Sequence, residues 1–251
     1  MEILFFVAMF ILLGYVIYRN VGLLQRYKHN KEYISIFNAM LEREDDAYSR
    51  LNDFINNEKS EEFKNKGRII KIFADLENDL DPSAIETLEP KEIFYHNGRF
   101  ASRLLAMNCD SFVWLYLVLA RARRLSRFDV IDDLSEKMKM MPEMAKRIEF
   151  QLFFAIEDAL CEKDDAGVGF LSCLLEGDYA DMKYEKNLIG LFKRFASATL
   201  AYAGEPMDDY FRNDLHSFAA TKIGRTYMQE LEIYDKYPPL EQGEEKTEET
   251  E

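Results

Sequence analysis

The chain has 251 residues, with 32 basic and 46 acidic side chains and a formal net charge of −14 at neutral pH. Hydrophobic residues make up 48%, which excludes wholesale disorder, and the net acidity excludes general nucleic-acid binding, which needs excess Lys and Arg against phosphate. Valine and threonine are scarce beside Leu, Ala, Glu, Lys and Met, with only 6 prolines and 11 glycines; this composition disfavours a large β-sheet and points to an all-α fold.

The first element is apolar. Ile3 to Tyr18, ILFFVAMFILLGYVIY, contains no charge. A spanning helix wants ~20 such residues for a ~30 Å hydrocarbon layer, and here Arg19 can snorkel while Val21 to Leu24 extend the helix into the interface. A cleaved signal peptide needs a basic start and a small-x-small site after the run; Met1-Glu2 and Tyr18-Arg19-Asn20 supply neither. Residues 1–19 are therefore expected to form a single-pass transmembrane anchor in the cell membrane, in contact with the bilayer through residues 3–18. A basic juxtamembrane segment follows at residues 20–31. Arg19, Arg26, Lys28 and Lys31 face only Glu2 on the other flank, so the positive-inside rule places the N-terminus outside and the rest of the chain in the cytoplasm. The same four residues are candidate lipid contacts, worth ~1 kcal/mol each beside an anionic surface. Cys109, Cys161 and Cys173 are odd in number and have no CxxC spacing, which suits reduced thiols.

Residues 32–237 are expected to form an all-helical cytoplasmic domain. Tyr33, Phe37, Met40, Leu41, Tyr48, Leu51, Phe54 and Ile55 recur at three- and four-residue steps, one stripe of an amphipathic helix. A second helix is expected over Glu61–Leu80. Asp81-Pro82 and Pro90 each read as helix starts, since a proline at the first helical position gives up an N–H that has no partner there anyway; the helix from Pro90 would carry Phe94, Phe100, Leu104 and Leu105. Ser111 can cap the next helix, whose nine consecutive apolar residues Phe112–Ala120 are too few to span a bilayer and too many for a half-exposed face. That helix is expected at the centre of the core. Further helices are expected at Asp129–Met141, Met144–Cys161, Gly167–Glu176, Tyr184–Ala203 and Asp208–Lys236, with a stop and restart at Gly204-Glu205-Pro206. Residues 238–251 read as an acidic, disordered tail.

Helices joined by short connections suggest a helical-hairpin array, solenoid-like, or a compact bundle. The segment Ser111–Pro142 resembles a tetratricopeptide repeat: Trp114 and Leu117 stand at the W-x2-L spacing, Leu134 takes the large position of the second helix, and Pro142 closes the unit. Val118, Arg121 and Val130 depart from the family's glycine, tyrosine and alanine, and the pattern does not recur 34 residues on, where Ile148 and Gln151 stand. The resemblance implies a scaffold that binds peptides or proteins without catalysis.

Arg121, Arg123, Arg124 and Arg127 form the densest basic cluster. Arg121, Arg124 and Arg127 are candidate partner-binding residues for an acidic segment, because the guanidinium fork suits bidentate contacts. The competing expectation is that they pair with Asp129, Asp132, Asp133 and Glu136, which follow at once. Asp132-Asp133-Leu134-Ser135-Glu136 and Asn213-Asp214-Leu215-His216-Ser217 resemble the two metal-binding motifs of class I terpene and prenyl synthases, which implies an all-helical, Mg²⁺-dependent enzyme as an alternative. Thr221 stands where the second motif should end in an acid, and Asp-Asp pairs also occur at Asp45, Asp164 and Asp208. His29, His96 and His216 lack zinc spacing, Gly167-Val168-Gly169 lacks the rest of a phosphate loop and reads as a close helix contact or a helix start, and no GxSxG is present. Met138, Met140, Met141 and Met144 are expected to fill gaps between helices. The sequence thus reads as a membrane-anchored cytoplasmic helical adaptor that binds other proteins and has no cofactor; besides the metal enzyme, a self-associating structural membrane protein is the third reading.

Overall fold

The computed structural model describes residues 26–96, 99–100, 109–162, 165–177 and 186–240. The expected transmembrane run, Arg19 and all but the first residues of the acidic tail lie outside them. The described residues form an all-α fold of eleven α-helices, three 3-10 turns and one two-residue β-pairing. Among them no helix is long and apolar enough to cross a membrane.

Helix α1 covers residues 26–42 and α2 spans Ala47–Asn57. The stripe from Tyr33 to Ile55 is therefore carried by two helices. Arg43 takes a left-handed φ of 56° between them, and the amide of Glu44 returns to the Ala39 carbonyl, so the chain turns while both segments keep their apolar face inward. No boundary falls at residue 31, where the juxtamembrane segment was expected to end. Helix α1 runs through it, and Arg26 already pairs with Glu62 at 2.8 Å.

Helix α3, Glu61–Glu77, places Glu61 and Glu62 in its first turn, where the helix dipole favours acids. Asp81-Pro82 leads only into a single 3-10 turn, Ser83–Ile85. Pro90 does open a helix, but α4 ends at Phe94, because Tyr95–His96 pair antiparallel with Arg99–Phe100. Beyond lie α5 (Cys109–Arg124), α6 (Phe128–Lys139), α7 (Ile148–Cys161), α8 (Asp165–Glu176), α9 (Lys186–Ala203), α10 (Asp209–Ala219) and α11 (Lys222–Glu230). Helix α5 begins two residues before Ser111, which is buried in its first turn and does not cap it.

The long helix expected over Asp208–Lys236 is broken at Ala220-Thr221. The Thr221 side chain accepts from the Gly224 amide at 3.0 Å and donates to the Phe218 carbonyl at 2.7 Å. A threonine bonded to nearby backbone in both directions gives the chain an alternative to the helical ladder. Gly224 makes the sharp restart possible, since a Cβ there would run into the Phe218 carbonyl. Pro238, the first residue of the expected tail, is still held, its carbonyl accepting from His216 Nδ1 at 2.6 Å.

Helix α5 sits at the centre. It packs against α3, α6, α7 and α11, and Phe112 to Ala122 are all buried. Trp114 is fully enclosed, its ring edge-on to Phe37 of α1 at 5.2 Å and to Phe73 of α3 at 5.1 Å. Met138, Met141 and Met144 fill the α6–α7 connection, while Met140 stays exposed.

Trp114→Ala should cost ~3–5 kcal/mol in urea unfolding, the usual loss for a buried large aromatic. Trp114→Phe should cost clearly less, because the indole N–H has no hydrogen-bond partner among the described residues. Equal losses for the two variants would show that the N–H, and not ring packing, holds this residue.

Candidate interaction surface

The arginine cluster is dispersed around the end of α5. Arg121 is buried: its guanidinium lies over the Phe73 ring at 3.5 Å, donates to the Phe73 carbonyl, pairs with Glu77 at 3.1 Å and binds Glu230 of α11. Arg124, one turn on, brings its Nε within 3.0 Å of the same Glu230. Arg123 donates to the Leu160 carbonyl at the end of α7. Arg127 lies beyond the helix and forks onto Asp129; this contact raises the arginine's pKa and lowers that of Asp129. Of the acids following the cluster, Asp129 serves in the expected way. Arg121 and Arg124 are satisfied by a glutamate more than a hundred residues away, a pairing that no local spacing encodes. Of the three candidate partner-binding arginines, Arg121 is enclosed, whereas Arg124 and Arg127 are ion-paired within the chain and keep about a third of their side chains exposed.

A second buried cation closes the other end of the core. Lys66 of α3 is 1% exposed and lies over the rings of Phe63 and Tyr33, with Asp110 at 3.7 Å and Glu62 at 3.8 Å. Burial, and next the charge of Asp110, hold the Tyr33 hydroxyl well above its ordinary pKa. Burial and then Asp110 likewise push the neighbouring Cys109 thiol up to about 11.

The two acidic motifs occupy separate helices. Asp132, Asp133 and Glu136 are exposed on α6, which packs on α5 and on Ser83–Ile85. Asp214 lies on α10, which packs on α9 and α11, and its carboxylate takes both Nε and Nη2 of Arg194 at 3.0 Å. Among the described residues no group of three His, Cys, Asp or Glu is placed to hold a metal ion.

An apolar cleft and a polar one remain open. A groove of about 530 Å³ runs along α7 and α8 and is closed at one end by the turn at Pro142–Ala145. Phe150, Phe154 and Phe170 form its wall, and Lys139, Gln151 and Asp158 stand on its rim. The floor exists because Gly167 of α8 lies against α7, where a Cβ would meet Asp158 Cβ at 2.6 Å and the Ala155 carbonyl at 2.8 Å. Gly167 is the close contact expected of it. Lys139 Nζ lies 5.9 Å from the Phe154 ring centroid. Beyond Asp158 a second cleft of about 660 Å³ is polar, with Glu162, Asp165, Tyr202 and Glu205 in its walls. Phe150 belongs to the buried core, and Phe154 and Phe170 pack against it while facing the groove. The signal for this in the sequence was that the apolar residues of α7 (IEFQLFFAIEDALC) exceed one face, so a second apolar face had to be covered or left open.

Glu230→Gln should destabilise the fold by up to ~3–5 kcal/mol, because Arg121 loses its buried counter-charge and keeps only the partly exposed Glu77. Arg121→Met combined with Glu230→Leu should recover most of that loss, because a buried pair replaced by apolar groups of similar volume is often neutral. Urea unfolding measures both, and a Glu230→Gln variant as stable as the parent would contradict the pairing. The chain matches no protein-family model, no curated protein and no solved structure.

Proposed function

We propose that this protein is a membrane-anchored helical adaptor, acting without catalysis, whose cytoplasmic domain receives an apolar helical segment of a partner protein in the groove of Phe150, Phe154 and Phe170. The observation that carries the reading is the groove itself. It is open, aromatic and built on two closely packed helices, the arrangement that suits an amphipathic helix laid with its apolar face inward. The anchor rests on the uncharged run Ile3–Tyr18, and the cytoplasmic side on the basic flank that follows it. Of the two arrangements open from the sequence, the enclosure of α5 by α3, α6, α7 and α11 favours a compact bundle, since units of a linear repeat array touch only their neighbours. An anchored binder raises its effective concentration near other membrane components without any added contact.

A photo-crosslinking residue at Gln151, on the groove rim, should capture a discrete partner in cells from the full-length protein. Phe154→Glu should abolish that capture while leaving the protein folded. Capture that survives Phe154→Glu counts against the groove, and an adduct of twice the chain's mass would favour the self-associating reading.

Side of the membrane is read from the native thiols. Cys173 is exposed, so a membrane-impermeant maleimide should leave it unlabelled in intact cells and label it after lysis. Cys109 should stay slow even after lysis, since a thiol at about 11 is only about one part in a thousand thiolate at pH 8. Labelling of Cys173 in intact cells would overturn the orientation.

A further inference from the structure

We propose that the end of the domain formed by the start of α1 and the α2–α3 turn docks on anionic phospholipid headgroups, so that the bilayer holds the domain in one orientation. This inference rests on the anchoring proposed above.

The domain has no slack where the chain enters it. Arg26 pairs with Glu62 at 2.8 Å, and His29 Nδ1 lies 2.7 Å from Glu58, which also accepts from the Ser60 amide. The His29 ring stacks on Phe63 at 5.8 Å. Packing therefore begins at the first described residue. Only seven residues, Arg19 to Gln25, separate Arg26 from the apolar run. They span about 10 Å as helix and at most about 25 Å fully extended, or one to three Debye lengths at physiological salt. At the helical limit, about one Debye length, this end of the domain lies at the edge of the membrane surface's field.

The charges at this end are sorted by the fold. Three of its acids are taken: Glu58 by His29, Glu61 by Lys64 and Glu62 by Arg26. Lys28, Lys31 and Lys59 are exposed and have no ion pair among the described residues, and Glu32 is the one exposed acid beside them on α1. Tyr27, 69% exposed, shares the outer face of α1 with Lys28 and Lys31, and tyrosine favours the headgroup layer. The other end of α1, ~24 Å away, carries Glu42, Glu44, Asp45 and Asp46, of which Glu42 pairs with Lys222 and both Glu44 and Asp46 with Arg50, while Asp45 has no ion pair among the described residues. The acid excess of the chain lies wholly beyond residue 31, because the first 31 residues hold four bases against one acid. An anionic surface therefore attracts the end with three unpaired lysines and offers no such attraction to the other, where Arg43, Arg50 and Lys222 are all ion-paired. Each lysine favours the docked state about fivefold, and the three together about a hundredfold.

The test uses the full-length protein in nanodiscs of phosphatidylcholine alone, or mixed equally with phosphatidylserine, both doped with headgroup-nitroxide lipid. A fluorophore is placed on Asn57→Cys beside Lys59, or on Asp45→Cys at the far end of α1, with the three native cysteines replaced by alanine and Trp114 emission used to confirm folding. In mixed discs the Asn57 probe should be quenched several-fold more than the Asp45 probe. Lys28→Glu/Lys31→Glu/Lys59→Glu, or discs of phosphatidylcholine alone, should remove the difference. Equal quenching at both sites in mixed discs, or an asymmetry that survives the triple substitution, would overturn the docking. Extraction of the protein from membranes by alkaline carbonate, read before any probe is compared, would overturn the anchoring itself and the docking with it.

Discussion

Helix α5 is apolar on every side and yet carries Arg121 in its last turns, and both facts constrain the rest of the chain. Eleven consecutive buried residues, Phe112 to Ala122, need neighbours all round, which α3, α6, α7 and α11 supply. A buried guanidinium in addition needs counter-charge and acceptors, because an unpaired ion in the interior is worth several kcal/mol against folding. Phe73 and Glu77 of α3 and Glu230 of α11 meet that need. The arginine thereby ties the first third of the fold to its last helix through the central one.

The same economy governs the other buried charges. Asp75 of α3 accepts from the Tyr48 hydroxyl and Lys71, each at 2.7 Å, and Lys66 lies against two aromatic rings and two carboxylates. Helix α3 thus holds polar side chains that reach α1, α2 and α5, which explains why so acidic a chain forms a continuous apolar core. It also explains what is left for function. With Arg121 enclosed and Arg124 and Arg127 already ion-paired within the chain, the surface best suited to a partner is the aromatic groove on α7 and α8. That groove owes its depth to Gly167, since any side chain there would force the two helices apart.

The packing of α1 joins architecture to location. A helix that enters the domain already ion-paired transmits the position of whatever precedes it, and the distribution of unpaired lysines gives that end a sign. The proposed adaptor function at a membrane would benefit from both, because a binding groove held at a fixed height and angle meets membrane-bound partners at high effective concentration.

Much of the fold was legible in the sequence for local reasons. Apolar spacing gave the helices, and the unbroken run Phe112–Ala120 marked the central one, since a segment apolar all round must be enclosed. Pro90 and Gly167 had the local roles their chemistry suggested. Local pattern failed where two outcomes share one pattern. The stripe Tyr33–Ile55 keeps its phase across a turn at Arg43, and the stretch Asp208–Lys236 breaks where Thr221 bonds backbone on both sides, neither of which alters apolar periodicity. The site was the least legible part. Spacing put Arg121 and Arg124 on one face but could not say that Arg121 was buried while Arg124 stayed exposed, nor that Glu230 would reach both across the chain. Long-range charge pairing and the close approach of α7 to α8 are decided by which helices meet. Only tertiary structure sets those contacts, because they depend on the combined shapes of elements that the sequence specifies one at a time.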